Sequence, residues 1–133
     1  MAIRYEDDEN IIGRAFGHYY LGEETQNMVP ATLQLTINGL YLFDRRRAES
    51  VNGVMHAHLD LRLQWQDFDL IGEGKIGEKR YLIAPYKQEQ PVFTFISDAV
   101  SYRDMTTLVR DLKNIGIVFV QAQENAAHKA KKQ

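Results

Sequence analysis

The sequence contains no cysteine. That excludes disulfides, thiol nucleophiles and thiolate metal sites. It has no long apolar run: the longest, such as Ile117 to Val120, fall far short of a bilayer span. It has no surplus of one charge. A net charge of −2 removes any global bias toward nucleic acid or an anionic membrane. The opening stretch MAIRYEDDEN is acidic and lacks an apolar core, so it does not read as a secretory leader. A cytoplasmic location is the resulting expectation. No repeat, low-complexity tract or linker interrupts the chain, and 133 residues suit one domain with a single core.

Catalytic signatures are missing too. Ser50, Ser97 and Ser101 lie outside any GxSxG setting. Gly72 to Gly77, GEGKIG, matches GxGxxG in letters, but the β-prone EKRYLIAP follows where a dinucleotide motif needs a helix. It reads as a flexible glycine-rich hairpin connection. His56 and His58 are two apart on one face of an expected strand, with Asp60 and Arg62 continuing it. Two imidazoles could hold a metal if His18 or His128 supplied a third ligand. No HExxH pattern accompanies them, and a solvated polar face explains the same spacing. No catalytic residue, cofactor or metal site is assigned, and the chain reads as non-enzymatic.

What is present is β-structure. In Thr32 to Phe43, TLQLTINGLYLF, Leu33, Leu35 and Ile37 alternate with Thr32, Gln34 and Thr36. That period of two puts three apolar side chains on one strand face. Asn38-Gly39 then predicts a type I′ turn, since both residue types accept positive φ. Ile11 to Leu21 reads as a strand bent or bulged at Gly13 or Gly17. Asp44 to Gly53 has turn chemistry and three consecutive arginines. Met55 to Trp65 alternates over a long strand with one apolar and one polar face. Shorter strands are expected at Phe68–Glu73, Arg80–Tyr86 and Pro91–Ile96.

The period then becomes helical. Met105, Leu108, Val109, Leu112 and Ile115 form one stripe of a helix over Tyr102–Ile115. Ser101 with Asp104 suits a capping box, and Asn114 and Gly116 suit the stop. Residues 117–123 suit either a final strand or a helix continuing past Gly116 at about 1 kcal/mol. Residues 1–10 are expected to form a flexible solvated arm, and residues 124–133 a loose polar tail.

The expected fold is mainly β (α+β): a small antiparallel barrel or sandwich of about seven strands, closed by one C-terminal amphipathic helix. In ATLQLTINGLYLFD, HLDLRLQWQDFDLIG, KRYLIAP, PVFTFI and the helix from Tyr102, the layout resembles the pleckstrin-homology superfold, including its GRAM-type, PTB-type and bacterial PH-like members. The resemblance implies a single PH-like domain and an interaction or scaffold role. The protein partner would dock at a sheet edge and the C-terminal helix, with Ile117, Val118, Phe119 and Val120 able to pair with another chain as a homodimer. The alternative is a small-molecule or lipid-headgroup binding barrel, with Arg45, Arg46 and Arg47 contacting phosphate. A solvated basic loop offset by Asp44 and Glu49 explains the same arginines.

Overall fold

The computed structural model describes residues 3–22, 28–117 and 119–121. The strands are β1 (Ile11–Tyr20), β2 (Val29–Thr36), β3 (Gly39–Val51), β4 (Val54–Gln64), β5 (Leu70–Ile76), β6 (Arg80–Lys87), β7 (Gln90–Pro91), β8 (Thr94–Ser97) and β9 (Phe119–Gln121). Helix α1 spans Tyr102–Asn114, between β8 and β9. The sheet runs β4-β3-β2-β1-β8-β6-β5-β9, with β7 attached to β6. Seven antiparallel strands form a half-barrel that the C-terminal helix closes. The fold class expected from the hydrophobic periods is the one found.

Strand β1 joins the two halves. Gly13 to Tyr19 pair with β2, and Gly17 to Tyr20 pair with β8. Gly17 sits where both neighbours are close. A Cβ there would lie 2.1 Å from the Ile96 carbonyl oxygen. The expected bulge in β1 lies between Ile11 and Gly13. The core fills the concave side. Leu33, Leu35, Leu40, Leu42, Ile71, Ile83, Phe93 and Phe95 meet Met105, Leu108, Val109 and Leu112 from α1. The helical stripe is therefore as expected except at Ile115, which is 61% exposed because it lies in the closing turn.

Several local expectations need correction. The first hairpin turns at Ile37-Asn38, because Thr36 pairs with Gly39, and neither turn residue has positive φ. Gly39 instead begins β3, where a Cβ would meet the Leu63 carbonyl oxygen at 2.0 Å. Of the two Asn-Gly pairs, the one that turns with two positive φ values is Asn52-Gly53, at 52° and 79°, between paired Val51 and Val54. Asp44 to Val51 is thus strand where a loop was expected. Gly72 and Gly74 are strand residues opposite Ala84 and Leu82, so GEGKIG is mostly β5. Strand β4 fully buries only Leu63 and leaves Val54 to Leu61 half-buried, because it ends the sheet order. Ser101 makes no side-chain cap. Its hydroxyl accepts from the Phe16 amide at 3.0 Å, tying the helix start to β1.

The N-terminal stretch differs most from expectation. Its described residues dock on the outer face of β1–β3 rather than forming a free arm. Arg4 bridges to β4, with its amide donating to the Met55 carbonyl at 2.9 Å and its own carbonyl accepting from Ala57 at 2.8 Å. Tyr5 packs edge-on against Phe43, and the Arg14 guanidinium lies 4.2 Å from the Tyr5 ring centroid. Asp7 accepts from Asn10 at 2.5 Å, Thr36 at 2.9 Å, Asn38 at 2.8 Å and Tyr41 at 2.9 Å. This strap makes Thr32, Gln34 and Thr36 buried polar residues. The expected loose tail, 124–133, lies outside the described residues.

Gly17 and Gly53 are unlike tests of glycine. Gly17→Ala forces a steric shift of backbone and should cost about 2 kcal/mol or more. Gly53→Ala meets nothing within 4 Å and should cost only its positive-φ penalty, about 1 kcal/mol. Urea denaturation of both variants checks the order.

Candidate functional site

The three arginines form a bulge. Asp44 pairs with His58, and the next pair is Ala48 with Ala57, so Arg45, Arg46 and Arg47 have no residues opposite them. Each turns to a carboxylate. The Asp44 side chain is 0% exposed and Arg46 wraps it. Arg46 donates to it from its amide at 2.8 Å, from Nε at 3.1 Å and from Nη2 at 3.0 Å. Arg47 donates from Nε at 3.3 Å and lies 3.6 Å from Asp60. Arg45 reaches Asp98 at 3.4 Å and lies 5.0 Å from the Phe16 ring centroid. The Arg46 hydrogen bonds hold the Asp44 carboxyl down at about 2, against the opposing cost of burial.

The neighbouring groups extend the same balance. Tyr19 donates to Asp60 at 2.8 Å. Burial first, then that carboxylate, raises the Tyr19 hydroxyl far above its usual range. His58 sits between Glu49, a direct partner, and Asp60 at 3.5 Å. His18 lies 3.7 Å from Asp98. The Arg45–Arg47 patch is therefore matched internally by acids. Of the two acids named from sequence, Asp44 does hold the arginines, while Glu49 faces His58. His56 stands opposite Glu49 in the β3–β4 register. Among the described residues no group of three His, Cys, Asp or Glu side chains is arranged to hold a metal.

The other predicted site lies at the far end of the sheet. Gly116 takes φ 96°, its amide donates to Lys113 at 3.1 Å, and the Ile117 amide donates to Leu112 at 3.1 Å. That is a Schellman closure of α1, and it turns the chain back. Ile117 packs against the core beside it. Phe119 and Val120 then pair with Ile71 and Gly72 in parallel. Val118 lies outside the described residues. Residues 119–121 are therefore strand, as one of the two sequence readings had it. Their inner edge is taken by β5, and β9 is the last strand in the order.

Beside this edge is a buried carboxylate that sequence reasoning missed. Glu73 is 5% exposed. The Tyr81 hydroxyl donates to it, and Lys113 from α1 reaches it at 2.7 Å. Burial, then Glu73, raises the Tyr81 hydroxyl. An open cleft of about 350 Å³ lies over the group, between α1 and the β5–β6 hairpin, with Lys75 and Arg110 on its rim. The signal was present in the alternation Ile71, Glu73, Lys75, which puts an acid in the inward register of β5. The Asp7 hub had no such signal, being one acid in a run of acids.

Asp44 yields a pH test. The Arg46 and Arg47 hydrogen bonds hold its carboxyl down at about 2 in the fold, below the 3.8 of a free aspartate. A depressed folded pKa stabilises above the unfolded value and is lost as pH falls through the folded one. Asp44→Asn should lower the melting temperature at pH 7, and the gap from the parent should close between pH 3.8 and about 2. A gap that stays constant down to pH 2 would mean that the charge on Asp44 contributes nothing.

Comparison of the chain with protein-family models, curated proteins and solved structures finds no match. The functional reading therefore rests on the chain's own geometry.

Proposed function

We propose that this chain is a non-enzymatic interaction module of the pleckstrin-homology-like type. It binds a protein partner through the sheet edge formed by β5 and β9 and the adjoining face of α1. The observation that carries this reading is the end of the sheet order. Strand β9 is three residues long, and among the described residues no strand pairs with its outer side. A bare strand edge offers main-chain donors and acceptors that an added strand can satisfy. An antiparallel half-barrel closed by a C-terminal helix is compatible with a PH-like fold.

The lipid-headgroup alternative is weaker for a physical reason. An anionic headgroup at Arg45–Arg47 must displace Asp44, Asp60 or Asp98 from guanidinium groups they already hold. The cleft of about 550 Å³ beside Asn38, Arg62 and Gln64 is open to solvent and lined mostly by polar groups, which does not favour an enclosed apolar ligand. No helix among the described residues is long and apolar enough to cross a membrane.

Native mass spectrometry of protein purified gently from its host tests the reading. The expected spectrum carries a protein-sized increment. Val120→Pro, which breaks β9, should reduce that increment at least tenfold, and Arg45→Ala/Arg46→Ala/Arg47→Ala should leave it unchanged. A ligand-sized increment that the arginine variant abolishes would overturn it in favour of a headgroup site.

A further inference from the structure

Strand β9 is an unusual member of its sheet. It pairs in parallel, while the other strand pairings are antiparallel. It covers Ile71, Gly72 and Glu73 of β5 and leaves Gly74 to Ile76 without a strand on that side, among the described residues. Parallel pairing is somewhat weaker per residue, and three residues give little of it.

Its attachment turns on one residue. Gly116 adopts φ 96° and closes α1, turning the chain back ahead of β9. A Cβ at Gly116 would meet nothing within 4 Å, so backbone conformation alone decides the cost of another residue there. If Gly116 becomes helical, α1 runs on and Phe119 to Gln121 leave the β5 edge. Opening gives up the two closing hydrogen bonds, the packing of Ile117 and three residues of parallel pairing, and exchange into a second copy restores the pairing.

We propose that residues 119–121 are an exchangeable occupant of the β5 edge, and that the partner this edge fits is the same segment of a second copy of this chain. The proposal rests on the reading of the β5–β9 edge as the interaction surface and names its partner. The register Ile71–Phe119, Gly72–Val120, Glu73–Gln121 is satisfied equally by a segment from either molecule. Phe119, Val120 and Gln121 are uncharged, so the exchanged segment itself brings no charge to the β5 edge. What separates the two states is the opened Schellman turn and the effective concentration of the tethered segment. Reciprocal exchange uses one patch twice, so the assembly closes as a symmetric dimer and leaves no strand to propagate.

The absence of cysteine makes the test specific. Gly72→Cys and Val120→Cys are placed on separate full-length chains, one of them mass-tagged. The chains are mixed at high concentration, oxidised mildly, and the disulfides mapped by mass spectrometry. Exchange gives an interchain link from 72 to 120, about fivefold more abundant when Gly116→Ala is added to both chains. The chain carrying both cysteines is oxidised in parallel. An intrachain link there, with no interchain link in the mixture, overturns exchange and leaves the edge reading standing. No 72–120 link in either setting overturns both. Sedimentation of the cysteine-free chain and its Gly116→Ala variant gives an independent readout. The dimer fraction should rise with concentration and with the substitution, and monomers throughout overturn the proposal.

Discussion

The close approach of three backbones at Gly17 is the constraint on which the rest of the fold depends. Strand β1 must serve β2 on one side and β8 on the other, and Gly17 pairs with Ala31 and Ser97. Only a residue without a Cβ allows the Ile96 carbonyl so near. From that junction the chain of consequences is short. Asp98 donates its amide to the Phe16 carbonyl at 2.8 Å, and the Ser101 hydroxyl accepts from the Phe16 amide. The start of α1 is thereby fixed over the mouth of the half-barrel. Met105, Leu108, Val109 and Leu112 then point into the core.

The sheet has two buried faces over β2, and they are buried by different chemistry. The concave face uses leucines and the helix, where burial of each large apolar side chain contributes about 1.5–3 kcal/mol. The convex face uses Thr32, Gln34 and Thr36 beneath the N-terminal strap. Buried polar groups need partners, and the strap supplies them: the Glu6 carbonyl for Gln34 at 2.8 Å and the Asp7 carboxylate for Thr36. The strap also bridges Arg4 to β4 beside His56, which shields part of that sheet edge. The opposite end of the sheet carries β9 alone. This asymmetry is what directs attention to the β5–β9 edge as an interaction surface.

The arginine run illustrates how local sequence can suggest chemistry that packing withdraws. Three adjacent guanidinium groups are a phosphate site only if they converge with charge to spare. Here the bulge splays them toward Asp44, Asp60 and Asp98, which come from β3, β4 and the turn after β8. Arg46 and Arg47 are 58% exposed, so solvent screens these pairs and they add little to stability. Their larger effect is to hold Asp44 ionised inside the sheet.

Periodicity was enough to identify the strand-rich class, the Leu33 and Leu35 face and the α1 stripe, because a side chain's face follows from its spacing, but Ile37, expected on the same face, lies in the turn and is exposed. Turn identity was harder to read. The chain holds two Asn-Gly pairs, and only Asn52-Gly53 makes the positive-φ turn. At Asn38-Gly39 the approach of Leu63 from β4 requires glycine inside the strand, and the turn moves back by one residue. The acidic run could not announce a strap, because its partners Thr36, Asn38 and Tyr41 are distant in sequence. Local composition determined which residues are apolar and which form a helix. Tertiary structure decided where the acids, the arginines and the last strand go, because a charge or a strand edge is defined by whatever the fold brings beside it.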